Sequence, residues 1–325
     1  MWYLFKMLSF ILIFGTTHGA YRNRRSMNPE ENMNISQIIS YWGYPDEEYD
    51  ITTEDGYILG LYRIPYGKTN SDNSSAQRLV VYLQHGLLTS ASSWISNLPN
   101  SSLGFLLADA GYDVWMGNSR GTTWSRKHLY LETNSKEFWA FSFDEMAKYD
   151  LPASIDFIVK QTQQEEIFYV GHSQGTTIAF ITFSTIPIIA GRIKIFFAFA
   201  PVFSIKYSKS PLIKMAYNWK SVIKSRMDVY MSQNPAGTSV QNMLHWSQTT
   251  SPLYNVANMN VSTATWSGES DLLADPEDVK ILLPEIRNHI YHKTISYYNH
   301  IDFLFGLDVY HQVYHEIIDI IQGNL

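Results

Sequence analysis

Residues 171–175 read Gly-His-Ser-Gln-Gly, a serine with a glycine two places to either side. A serine hydroxyl is a weak nucleophile at neutral pH. It becomes useful when a base stands within hydrogen-bond reach and a carboxylate orients that base. The glycines answer a problem of shape. A hydroxyl presented at the tip of a sharp turn needs strained backbone, and side chains two places away would collide across the turn. The pattern alone also occurs in ordinary glycine-rich turns. Here the strand-like Ile167–Val170 (IFYV) precedes it and the helix-like Thr176–Ser184 follows it. That is the strand–turn–helix setting in which such a serine is exposed at the rim of a sheet.

In that setting the orienting acid and then the histidine follow the serine in chain order. Asp271, beyond the strand-like Thr263–Trp266, and His300, beyond Ile290–Ile295, are the best placed. Asp275 and Asp302 are rival acids. Asp275 stands before Pro276 and suits the N-cap of a helix. His172 adjoins the serine and is expected to turn its side chain away and serve structure. His289 and His292 flank or lie in a strand and are expected to pack or face solvent. A tetrahedral intermediate would carry an oxyanion, which needs preorganised N–H donors. One is expected from the amide of Gln174. The other is expected from Leu87, in the His85-Gly86-Leu87 loop that follows the apolar run Leu79–Leu83.

These residues need a scaffold that brings distant loops to one rim. Leu79–Leu83, Tyr112–Met116, Ile167–Val170 and Ile193–Phe199 are β-rich apolar runs, followed later by Thr263–Trp266 and Ile290–Ile295. Helix-length stretches such as Phe143–Lys160 lie between several of them. This alternation predicts a mostly parallel sheet with helices on both faces, and loops at the carboxyl ends of strands as the place for chemistry. An antiparallel lead-in up to about Arg63, turning at Glu54-Asp55-Gly56, precedes it. Lys209–Thr250 breaks the alternation. It reads as a helical, partly cap-like insertion between two core strands, spanning about 209–258.

Composition narrows the function classes. The 325 residues suffice for one large domain, and a net charge of −6 argues against a nucleic-acid partner. Lys6, the apolar run Met7–Phe14 and the small or polar residues up to Gly19 follow the plan of a secretory leader over residues 1–19. The run is too short for a transmembrane helix. The mature domain is then 20–325, exported from the cytosol, with a lysosomal destination as the alternative. Asn34, Asn73, Asn100 and Asn260 head N-x-S/T sequons. There are no cysteines, which excludes a cysteine nucleophile and counts against structural zinc.

Longer motifs resemble the acid lipases, the family of gastric and lysosomal acid lipase. They include Met33–Gly67, LQHGLLTSASSWISNLP (Leu83–Pro99), GYDVWMGNSRG (Gly111–Gly121) and Phe138–Ile158. YVGHSQGTTIAF (Tyr169–Phe180), DLLADPEDV (Asp271–Val279) and YYNHIDF (Tyr297–Phe303) continue the series. The resemblance implies an α/β-hydrolase fold with a cap insertion. It implies a Ser173–Asp271–His300 triad, oxyanion donors at Leu87 and Gln174, and no metal or cofactor. The implied substrate is a lipid ester, triacylglycerol or cholesteryl ester, met at a lipid–water interface. Two departures stand out. The insertion is shorter than the family's cap, with blocks absent near Lys224-Ser225 and near Gln248–Thr250. The family's glycine-rich approach to the acid is changed to Ser267-Gly268-Glu269-Ser270-Asp271. A shortened cap leaves two expectations open: an esterase with an intact core, or a catalytically impaired protein that binds lipid or a partner.

Overall fold

The computed structural model describes residues 28–68, 77–208, 226–246 and 254–324. The expected leader, 1–19, and Asn73 lie outside them, as do both points at which the insertion is expected to be short.

The framework is a nine-stranded sheet. Its strands are β1 (Glu47–Thr52), β2 (Tyr57–Ile64), β3 (Val80–Gln84), β4 (Asp113–Gly117), β5 (Lys127–His128), β6 (Ile167–His172), β7 (Ile193–Phe199), β8 (Thr263–Gly268) and β9 (His289–Ile295). Their spatial order is β1-β2-β4-β3-β6-β7-β8-β9, with β5 paired to β2. β1, β2 and β5 form the antiparallel lead-in, and every pairing from β4 through β3, β6, β7 and β8 to β9 is parallel. The fold is therefore α/β with a mostly parallel sheet.

Alternation along the strands builds two cores. In β3, Val81 and Leu83 pack into one cluster and Val80 and Tyr82 into the other. In β7, Phe197 and Phe199 divide from Phe196 and Ala198 in the same way. Successive side chains point to opposite faces, so a run apolar at every position must be covered on both. Helices α1 (Ile35–Tyr41), α2 (Leu103–Asp109), α3 (Leu151–Thr162), α4 (Gln174–Thr185), α5 (Met227–Gln233), α6 (Val240–Trp246), α7 (Pro276–Leu282) and α8 (His315–Gln322) complete the scaffold.

The helix expected over Phe143–Lys160 differs in one respect. Phe143–Glu145 runs into a π turn, Met146–Asp150, before α3 begins. The Leu151 amide donates to the Met146 carbonyl, five residues back. Pro152 has no N–H to give an α-helical bond, and the wider turn carries the chain past it. The insertion lies between β7 and β8, and its described elements are the helices α5 and α6 and the short turn Val256–Asn258.

Arg226, at the N-cap of α5, ties the insertion to the beginning of the described chain. Its guanidinium meets both Glu30 oxygens at 2.5 and 2.6 Å and donates to the Ser96 carbonyl. Trp42 Nε1 supplies a further bond to Glu30. Both charges are buried, so each depends on the other. Arg226→Met is expected to lower the unfolding free energy by about 3–5 kcal/mol in urea titration, because it strands the Glu30 carboxylate. Adding Glu30→Gln should recover part of that loss.

Candidate active site

β3, β6, β8 and β9 deliver their carboxyl ends to one rim. Ser173 stands between β6 and α4 with φ 54 and ψ −120, a left-handed backbone that a non-glycine residue adopts only under constraint. The constraint is visible in its neighbours. A Cβ on Gly171 would lie 2.9 Å from the Gly175 backbone, and one on Gly175 would lie 2.5 Å from the Gln84 carbonyl oxygen. Real side chains cannot approach so closely. The elbow is then pinned by Ser173 N–H to the Phe199 carbonyl at 3.0 Å and by Tyr169 Oη to the Gly175 carbonyl at 2.8 Å.

Ser173 Oγ lies 2.6 Å from His300 Nε2, and His300 Nδ1 lies 2.8 Å from Asp271 Oδ2. A carboxylate only accepts, so Nδ1 carries the proton and Nε2 offers its lone pair to the serine hydroxyl. The other Asp271 oxygen accepts the amides of Leu273 and Ala274 at 2.8 and 2.9 Å. Ser173, Asp271 and His300 are 4%, 1% and 2% exposed. Low polarity around the chain strengthens each of its hydrogen bonds.

The loops that carry the acid and the histidine brace each other. A Cβ on Gly268 would meet the Tyr298 carbonyl oxygen at 2.2 Å. That glycine is the one kept in the altered approach to Asp271. Ser267 is accommodated on β8 with its hydroxyl near His292 and Thr294. Ser270 N–H donates to the Tyr298 carbonyl. Asn299 Oδ1 accepts the His300 amide, and Asp302 accepts the Asn299 amide, both at 2.7 Å.

The rival residues have other work. Asp302 closes the turn around His300, and Asp275 caps α7 by accepting the Glu277 amide at 3.0 Å. His289 and His292 both bond the Thr265 hydroxyl between β8 and β9. His172 departs from expectation. Its side chain does not leave the site but reaches the carbonyl oxygen of His300, with Nε2 at 2.8 Å. Nε2 must therefore donate, and Nδ1 is left buried without a partner.

The loop after β3 lies against the serine. A Cβ on Gly86 would sit 2.9 Å from Ser173 Cβ. His85 Nε2 accepts the Ser119 amide at 3.0 Å, so its protonated Nδ1 donates to the Gly86 carbonyl at 2.8 Å. The Thr89 hydroxyl donates to the same carbonyl. A trans peptide points its N–H opposite its C=O, so these bonds also aim the Leu87 amide. Gln174 offers its amide as the first residue of α4, where the helix dipole favours negative charge. The supporting roles of His85 and Ser119 escape a pattern search. The only hint is polar residues directly after apolar strands.

Of the four sequons, Asn100 and Asn260 are exposed. Asn34 is half-buried and caps α1 through the Gln37 amide at 2.8 Å.

Burial holds His85 down at about 4 and His172 down at about 3, the latter helped by charge on His300. Their ordinary value is near 6.5, so the unfolded chain binds more protons as pH falls. The stability they contribute is fully present above about pH 6.5 and is lost as pH drops toward those folded values. His172→Gln keeps a donor toward the His300 carbonyl and removes one titration. Between pH 6.5 and 4 its unfolding free energy should fall less than that of wild type, by on the order of 2 kcal/mol in urea titration.

Two family descriptions match the sequence: "Partial alpha/beta-hydrolase lipase region" over residues 35–98 and "alpha/beta hydrolase fold" over residues 80–194. Human lipase member J is 68% identical over 366 residues, covering 90% of this chain and all of that protein. Human gastric triacylglycerol lipase is 50% identical over 397 residues, covering both chains in full. Among solved structures, an esterase from Exiguobacterium antarcticum superposes with a TM-score of 0.61 at 12% identity, covering 85% of this chain and all of that one. That likeness concerns the fold, whereas the sequence relationships are far closer. The chain belongs to the acid lipase family of carboxylic-ester hydrolases, built on the α/β-hydrolase fold.

Proposed function

We propose that this protein hydrolyses carboxylic esters of lipids through an acyl-serine intermediate. Ser173 is the nucleophile, His300 the general base and acid, and Asp271 the orienting carboxylate. The amides of Gln174 and Leu87 receive the oxyanion. The observation that carries this assignment is the unbroken hydrogen-bonded chain from Asp271 through His300 to Ser173.

Ser173 Oγ attacks the ester carbonyl as His300 Nε2 takes its proton. The carbonyl oxygen becomes an oxyanion between the two amides. Asp271 stabilises the imidazolium without taking its proton. His300 then protonates the departing alcohol, which leaves an ester on Ser173. A water molecule, deprotonated by Nε2, attacks that ester. His300 returns the proton to Oγ, and the carboxylic acid departs.

A lipid ester is the substrate class favoured by the relatives, named as a triacylglycerol lipase in human and as a cholesteryl ester hydrolase in Macaca fascicularis, the latter 47% identical over 370 residues. We place the reaction at a lipid–water interface. Among the described residues no helix is long and apolar enough to cross a membrane. Residues 1–19 are proposed to be a leader removed on export. The protein then works outside the cell, with the lysosome as the alternative compartment. The exposed Asn100 and Asn260 are candidates for glycosylation, with Asn34 and Asn73.

One observation favours a second reading. The alignment with gastric lipase spans 397 positions, although this chain, covered in full, has 325 residues. A shortened insertion between β7 and β8 could leave a lipid-binding protein with impaired catalysis. Labelling with a fluorophosphonate separates the two. Wild type should label and Ser173→Ala should not, while Asp271→Asn should lower kcat on a short-chain ester by about 10⁴-fold. A folded wild type that does not label leaves the binding reading in place.

A further inference from the structure

Gln174 is assigned above for its backbone amide alone, yet its side chain is buried and its oxygen holds two hydrogen bonds. Oε1 accepts Asn242 Nδ2 at 2.8 Å and Trp246 Nε1 at 2.7 Å. Nε2 points to Met146 Sδ at 3.4 Å, on the π turn. A carboxamide oxygen has two lone pairs, and both donors come from α6, in the insertion between β7 and β8.

We propose that Asn242 and Trp246 are positioning residues for the oxyanion site. Together they make Gln174 a strut between the nucleophile elbow and the cap. The proposal rests on the role given to the Gln174 amide under Proposed function.

Both ends of the strut are held. At its base, Gln174 follows a residue in strained backbone, and such backbone persists only where its surroundings over-determine it. At its tip, α6 is itself anchored. Ser239 Oγ donates to the Phe141 carbonyl and accepts the Asn242 amide. Trp246 and His245 pack on Phe143 at ring separations of 5.0 and 4.1 Å. Asn242 is fully buried, so its amide group has no water to turn to. With its donors removed, Oε1 is a buried acceptor seeking another partner. The side chain must then rotate, and the first turn of α4 loses the restraint that aims its leading amide. The amide acts on charge that develops in the transition state, so misaiming it costs turnover rather than substrate affinity.

The test uses the whole chain and a soluble short-chain ester. Trp246→Phe keeps the ring on Phe143 and deletes only the N–H, and Asn242→Leu keeps volume and deletes the other donor. Each should lower kcat by about 10-fold with KM nearly unchanged, a fraction of the loss from deleting an oxyanion donor outright. In a Gln174→Met background, where no acceptor remains, neither change should lower kcat further. A merely structural role would lower thermal stability and raise KM equally in both backgrounds, and that result overturns the proposal. So does unchanged kcat in both single variants. An active wild type that loses activity in Ser173→Ala but keeps its kcat in both Trp246→Phe and Asn242→Leu refutes the strut alone. A folded wild type that neither turns over ester nor labels refutes the proposed chemistry, and the strut with it.

Discussion

Beneath Ser173 the backbone of one loop presses directly on the backbone of another, and the rest of the rim depends on that approach. The glycines at 171 and 175 let β6 and α4 meet at a turn that leaves Ser173 with φ 54. Gly86 lets the loop after β3 lie against the serine. Gly268 does the same for the acid loop beneath Tyr298. A methyl group at any of these places would force apart two elements that must stand within one hydrogen bond of each other. The parallel sheet makes the approach possible, because β3, β6, β8 and β9 all end on the same side, with β3 beside β6, β8 beside β9 and β7 alone between the two pairs. Hydrophobic burial on both faces holds the sheet, and glycine decides how near its loops come.

With the distances set, polar satisfaction decides which way each group faces. Asp271 fills one oxygen with two amides and turns the other to His300, so the imidazole has one tautomer compatible with its partners. His172 and His85 are kept neutral by burial and use ring nitrogens as fixed struts, one on the His300 carbonyl and one on the Gly86 carbonyl. Three imidazoles in one buried region could not all be charged without mutual repulsion. Burial lowers the proton affinity of the two that brace the loops, which leaves His300 as the one facing a carboxylate.

Much of this was legible in the chain itself. Apolar runs of strand length with glycine at their ends located the core strands to within a residue or two, because a doubly covered strand cannot be polar. The G-x-S-x-G turn pointed to Ser173, since only that arrangement of glycines relieves the elbow. Pattern alone does not separate Asp271 and His300 from their rivals. Asp275 and Asp302 are the same chemical type, and their capping roles depend on loop geometry that spacing does not encode. His172 serves structure, as its place beside the serine suggests, but the direction of its side chain is not legible in the sequence. Alternation on β6 predicts which face a side chain leaves by, but not that the loop carrying His300 folds back over that face. The π turn at Met146–Asp150 was hidden because Pro152 permits either a helix start or a widened turn.

The insertion is where sequence pattern says least and physical context says most. Asn242 and Trp246 lie in a stretch without strong periodicity, and neither carries reactive chemistry of its own. Their significance comes from the partner they share. A buried glutamine oxygen is costly to leave unmade, so a chain that retains Gln174 behind its nucleophile must also retain donors to meet it. In this fold the donors come from a segment whose length is free to change, because it joins β7 to β8 outside the sheet. A cap can therefore lose much of its length and still serve the reaction, provided that the short helix reaching Gln174 survives. The opposite also follows: a cap of full length that failed to place those two donors would leave the elbow intact and its leading amide poorly aimed.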